Sequence, residues 1–425
     1  MKKVLVVLLA LIMVFAMVAC GDKEVSEDAQ VYWLNFKPEF DQTAQDLAKA
    51  YTEETGVLVK VVTAASGTYQ ETLTAEMDKE NAPTLFVVGN DAAVETWKDY
   101  CYDLTDTKIA AELNTDAYNL YDADGKLCSI GYCYECYGII VNVDLLEKAG
   151  HSLDEIKDFA SLKAVAEDIH AKAETLGFDA FTTSGMDDSS SWRFSGHLAN
   201  MPLYYESVKN SWNGQPAEIT GEFLDLFKNV WDLYINNSKV APTTLADGGY
   251  DAEAEFKNGE AVFYQNGSWE YAAVSETVEN LAMIPIYCGA DGEEKAGLCC
   301  GTENCWAVNG NVSQEKIDAT IDFMTWLVTS ETGTQAMAKE LGPIPYKSAA
   351  TPENVFFANA NEYTANGNYV VTWAFNYTPQ VDDWRAGVVA AMNQYDANPS
   401  DETWALVKTA FVEGWATQYK AAHAE

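Results

Sequence analysis

Twelve tryptophans and an aromatic content of 12% are high for a chain of 425 residues, and their placement is uneven. Trp231, Trp326 and Trp404 fall on regular helical faces, where a large ring belongs to a core. Trp33, Trp97, Trp192, Trp269, Trp306, Trp373 and Trp384 fall at expected strand ends or in polar loops. An indole in such a place offers a flat apolar face with one polar atom at its edge. Carboxylates and amides beside it can take up hydroxyl groups. Together they suit noncovalent capture of a sugar ring, which has apolar C–H faces and a hydroxyl rim. Trp33, Trp192 and Trp373 are candidate contacts on this ground.

Bond-breaking chemistry leaves no comparable trace. There is no GxxxxGK[ST] phosphate loop, no GxSxG nucleophile turn and no HExxH zinc motif. His151, His170, His197 and His423 lack metal-ligand spacing. No cofactor and no metal are expected. A glycoside hydrolase needs only a pair of carboxylates, and 65 acidic residues keep a surface hydrolase open as an alternative without marking any pair.

The formal net charge is −39. A surface so acidic repels nucleic acid and anionic lipid and favours a neutral or cationic ligand. A non-sugar solute of either kind remains a second alternative.

Lys2 and Lys3 precede an apolar run from Val4 to Val18 that ends at Ala19-Cys20. The order is that of a secretory signal peptide, and the run is too short to span a bilayer, which takes about 20 residues. Residues 1–19 are expected to be removed and 20–30 to form a tether. Eight cysteines follow Cys20. Cys133-Tyr-Glu-Cys136 is a lone CxxC in an expected strand, where i and i+3 face opposite ways. Buried free thiols are the preferred reading, with disulfide pairings left open.

These residues must be positioned by elements that the sequence also outlines. Val31–Leu34, Val57–Val62 and Thr84–Val88 read as short buried strands. Phe40, Ala44, Leu47, Ala48 and Tyr51 mark one face of a helix, with Asp41 as its N-cap and Gly56 at its end. Tyr69, Leu73 and Met77 mark a second helix. The βαβαβ order predicts an open α/β sheet, whose ligands bind beyond the carboxyl ends of the strands. Asn35, Phe36, Asn90 and Asp91 stand there. Asp124-Gly125 predicts a hairpin turn, and the region after Thr351 reads mostly as helices.

Two segments resemble a known family. Tyr137-Gly-Ile-Ile-Val-Asn142-Val-Asp144-Leu-Leu-Glu-Lys-Ala149-Gly150 is similar to the "YGxxYN-DLLxKAG" stretch of extracellular solute-binding proteins of sugar ABC importers, with Val141 in place of tyrosine. Phe256-Lys-Asn-Gly259-Glu-Ala261-Val-Phe263-Tyr-Gln-Asn266-Gly267-Ser-Trp269 is similar to their "FxxGxAAMxxxGxW" stretch. Ala19-Cys20-Gly21 resembles the bacterial lipobox, with Met17 where leucine is usual, which implies lipidation at Cys20.

The resemblance implies a two-lobed, periplasmic-binding-protein-like (Venus-flytrap) α/β fold that closes on a hinge. The first lobe would comprise residues 31–135 and 301–343, and the second 136–300 and 344–425. It further implies an oligosaccharide ligand, a membrane permease as partner, a monomer, and a lipid anchor on the outer face of the cytoplasmic membrane. Trp269 matches the family's stacking tryptophan, with Asn266 in the same stretch. Trp384 and Arg385 match a C-terminal segment lining the cleft, in a stretch one residue shorter here. Glu135 and Glu303 match the two hinge crossings.

Overall fold

The computed structural model describes residues 29–183, 185–186, 190–240 and 251–423. The expected signal peptide and Cys20 lie outside them. The first sheet has the order β2-β1-β3-β11-β5-β4. Its strands are β1 (Val31–Asn35), β2 (Val59–Thr63), β3 (Leu85–Val87), β4 (Leu120–Tyr121), β5 (Leu127–Gly131) and β11 (Cys305–Val308). The second sheet has the order β12-β10-β6-β8-β7, with β9 also paired to β6. Its strands are β6 (Glu135–Asn142), β7 (Asp179–Phe181), β8 (Ala261–Gly267), β9 (Leu281–Ile284), β10 (Ala296–Gly301) and β12 (Tyr369–Thr372).

The opening βαβαβ forms because its apolar residues are spaced for burial on both sheet faces. Every residue of β1 is buried, and β1 pairs in parallel with β2 and β3. The helix Asp41–Thr55 buries Ala44, Leu47, Ala48 and Tyr51, and Gly56 closes it at φ 77°. A positive φ at that point favours glycine. Asp41 is the helix's first residue rather than its N-cap. Its carboxylate accepts from the Thr63 hydroxyl at 2.5 Å, tying the helix to the end of β2. Asp122 and Gly125 close the turn between β4 and β5, with Gly125 at φ 85°.

Two adjacent crossings join the sheets. Gly131 pairs with Cys305 in the first sheet and Glu135 with Gly301 in the second, so β5–β6 and β10–β11 run side by side through the junction. Between them the Tyr132 N–H donates to the Asn304 carbonyl at 2.8 Å. The Tyr134 N–H donates to the Pro343 carbonyl at 3.0 Å, which binds the third crossing alongside. Ile344 and Tyr346 pack in the first core, and the Tyr346 hydroxyl donates to the Gly131 carbonyl. The first lobe therefore continues to Tyr346, three residues past the expected boundary.

Each lobe has its own core. The first gathers Trp33, Phe40, Trp306 and Phe323 in edge-on contacts. The second is built on Trp231, Phe194, Phe227 and the C-terminal helices Val381–Ala397 and Asp401–Ala422. All eight cysteines after Cys20 are buried free thiols.

Asp396 sits in the second core. One carboxylate oxygen accepts from the Trp231 indole at 2.7 Å, and the other has no hydrogen-bond partner. Burial raises its pKa to about 8 against the pull of the indole. The folded state thus keeps a proton that the unfolded chain releases near 3.8. The stabilisation this gives is lost as pH rises through that window. Urea melts should show lower stability at pH 8 than at pH 5.5, and Asp396→Asn should narrow the gap. A gap unchanged in the variant would contradict the assignment.

Candidate ligand-binding cleft

The crossings set the end of β1 opposite the end of β8. Lys37, two residues beyond β1, is 5% exposed, with its Nζ 2.6 Å from Glu135 Oε1 and 2.8 Å from Glu39 Oε1. Burial would lower its pKa, but the carboxylates of Glu135 and Glu39 outweigh burial and raise it. It stays charged, as a buried ammonium can only when paired. Glu135 is engaged on both oxygens, since Asn304 Nδ2 donates to the other at 2.6 Å.

Across from Lys37, 5.7 Å from its Nζ, lies the ring of Trp269. Two features fix that ring. Its Nε1 donates to Asn266 Oδ1 at 2.8 Å, and Asn266 is itself held by the Tyr264 hydroxyl and the Gly267 N–H. The ring also covers Gly267 so closely that a Cβ there would stand 2.2 Å from it. Asn266 is fully buried and positions Trp269.

Trp192 and His197 continue the wall, with centroids 6.0 and 5.4 Å from that of Trp269. His197 lies flat on Tyr137 at 3.9 Å, and its Nδ1 is 2.9 Å from Gln265 Nε2. Burial, reinforced by Arg193, holds its pKa well below the usual imidazole value, so the ring is neutral at pH 7. Trp373 stacks with Phe375 at 5.5 Å and covers Gly301, where a Cβ would come within 2.8 Å. Buried Asn200 anchors this loop by donating to the Thr372 carbonyl and accepting from the Phe375 N–H.

Two half-buried acids complete the site. Burial raises both Glu270 and Glu303 to about 7, opposed by Arg193 and Arg385 respectively. The Arg385 Nε donates to the Ser195 hydroxyl at 3.1 Å, and its guanidinium is 3.8 Å from Asp382.

Several expected contacts are buried or have structural partners. Trp33 is 1% exposed within the first core. Trp384 is 2% exposed against Phe411 and Trp415, and its indole donates to the Phe411 carbonyl. Both are core residues, as are Trp97 and Trp306. Asn35 spends its amide on the Lys37 backbone and Thr63. Phe36 is half-buried, edge-on to Tyr69. Asn90 caps the helix Asp91–Trp97 by accepting from the Ala93 N–H, and Asp91 is exposed in its first turn. That helix contacts the Ala374–Tyr377 turn of the other lobe. Glu135, Trp192, Trp269, Glu303, Trp373 and Arg385 do gather around the junction.

Sequence reasoning missed Lys37, Tyr137, Arg193, His197, Gln265 and Glu270. Lys37 was within reach as the first charge beyond β1. His197 was not, because its partner Gln265 is 68 residues away.

Two α/β lobes, three bonded crossings and an aromatic cleft between them define a bilobed binding protein. Residues 46–367 match the model of the bacterial extracellular solute-binding proteins. The chain belongs to that family. It is 23% identical over 333 residues, 74% of each chain, to a maltooligosaccharide ABC transporter solute-binding lipoprotein of Streptococcus pneumoniae serotype 4. The solute-binding protein RafE in complex with raffinose aligns with a TM-score of 0.72 at 18% identity, covering 93% of this chain and 99% of that one. A Bacillus licheniformis sugar transporter protein in complex with stachyose gives 0.64 at 16% identity, covering 92% and 98%.

Proposed function

We propose that this chain captures a neutral oligosaccharide between its lobes and delivers it to the membrane permease of an ABC importer. The observation that carries the reading is the indole wall of Trp269 and Trp192, fixed by Asn266 and Gly267 and facing the charged end of β1. Stacking platforms with a few placed polar groups at a lobe interface suit sugar rings. The relatives support it, since their names specify maltooligosaccharide, raffinose and stachyose. The protein acts as a monomer and is not an enzyme.

A thermal-shift screen over neutral di- to hexasaccharides tests the reading, because a ligand that binds only the folded state must raise Tm. At least one oligosaccharide should do so. No shift across the panel, or release of reducing sugar from it, would overturn the reading.

We also propose that the mature protein begins at lipidated Cys20. No helix among the described residues is long and apolar enough to cross a membrane. Cys20→Ser should therefore move the protein from the membrane fraction to the medium. A Ser variant that stays with the membrane would overturn the anchor.

A further inference from the structure

Sugar capture makes no use of the eight buried thiols, and the fold sorts them by core. Cys101, Cys128 and Cys133 lie in the first core, and Cys288 and Cys299 in the second. Cys136 and Cys300 lie together in a smaller core on the opposite face of the second sheet, with Ile140, Tyr264 and Phe356. The lone CxxC is therefore split, with Cys133 in one core and Cys136 in another, as i and i+3 on extended backbone must be. The neighbours Cys299 and Cys300 are split as well. Cys299 Sγ meets Met201 Sδ at 3.9 Å, whereas Cys300 Sγ lies 3.5 Å from the Leu298 carbonyl.

We propose that Cys136 and Cys300 are the site of a cross-strand disulfide that staples the second lobe when the chain folds in the presence of a disulfide oxidant. They stand directly opposite each other on antiparallel β6 and β10. Partners in that position point their side chains to the same face. The Cα atoms of such partners lie about 4.5–5.5 Å apart, inside the span of about 4.4–6.8 Å that a disulfide bridges. No other two cysteines among the described residues face each other across paired strands. The next pair along is Glu135 and Gly301, where both crossings leave the sheet. A bond at Cys136 and Cys300 joins the roots of those crossings and closes a chain loop that takes in most of the second lobe. Constraining so long a loop in the unfolded chain favours the folded state.

The oxidant is a small disulfide such as oxidised glutathione. One cysteine thiolate attacks it, releases one glutathione and leaves a mixed disulfide. The other cysteine thiolate attacks the protein sulfur of that mixed disulfide and displaces the second glutathione. The two protons lost by the cysteines end on the two glutathione thiols, so one disulfide is reduced as another forms. The exchange belongs to folding, while the strands are pairing. In the folded protein Cys136 is fully buried and Cys300 nearly so. Burial also raises both thiols, Cys300 to about 11, so neither presents a thiolate to an oxidant.

The test refolds the mature chain carrying Cys20→Ser from guanidinium, either with mixed reduced and oxidised glutathione or with reductant alone. Remaining thiols are alkylated, and unreduced peptides are sequenced by mass spectrometry. After refolding with glutathione, Cys136 should be joined to Cys300 in most molecules. Cys136 found alkylated, or joined to any other cysteine, overturns the inference. The link should be lost in Cys300→Ser and kept in Cys299→Ser. If either variant fails to fold, the fragment ions of the parent chain decide between Cys299 and Cys300. The bridged protein should melt several degrees above the reduced one, and the difference should shrink in Cys300→Ser. A bridged protein that melts no higher than the reduced one overturns the staple.

Discussion

Trp269→Ala should weaken oligosaccharide binding about 30-fold while leaving the fold intact, since truncating a buried aromatic anchor costs about 2 kcal/mol or more. The ring is only partly buried and lies at the edge of the second core, so its removal opens the wall rather than a cavity. The effect belongs to the ring's position as much as to its area. Gly267→Ala leaves the indole in place chemically but puts a methyl group where the ring lies. It should weaken binding in the same direction. Calorimetry with the strongest oligosaccharide from the thermal screen measures both. Unchanged affinity in a folded Trp269→Ala protein would move Trp269 out of the site.

Trp231→Ala should act on stability instead, lowering it by about 3–5 kcal/mol, in the range for deleting a large core aromatic. Trp231 is fully buried, with Phe194 edge-on at 4.4 Å. Its indole is also the one hydrogen-bond donor to Asp396 among the described residues. The substitution therefore empties a large volume and strands a buried carboxyl group. Chemical denaturation measures the loss. A cost under about 1 kcal/mol, the scale of an ordinary surface substitution, would mean that the second core is not organised around this ring.

The contrast between these tryptophans shows what the sequence could convey. Helical spacing placed Trp231 in a core, and the resemblance of the Phe256–Trp269 stretch to a known family singled out Trp269. Trp33 and Trp384 are both buried, and lying in a strand or loop does not reveal which side a ring faces. Trp33 turns inward to meet Phe323 and Trp306, from a distant part of the chain. Trp384 turns towards the final helix. The first three strands were legible because parallel strands buried on both faces are short and apolar throughout. The end of the third crossing was not, since Ile344 and Tyr346 join the first core through contacts that no local pattern records. His197 was hidden for the same reason. Its role arises from Gln265, which the fold, not the spacing, brings to it.

The central claim is that a saccharide is gripped between two lobes that close on it. A ligand touching both lobes binds the closed form better and shifts the population towards it. Small-angle X-ray scattering with and without the sugar that gives the largest thermal shift tests this directly. The radius of gyration should fall on saturation. Superimposable curves at saturating sugar would contradict the account.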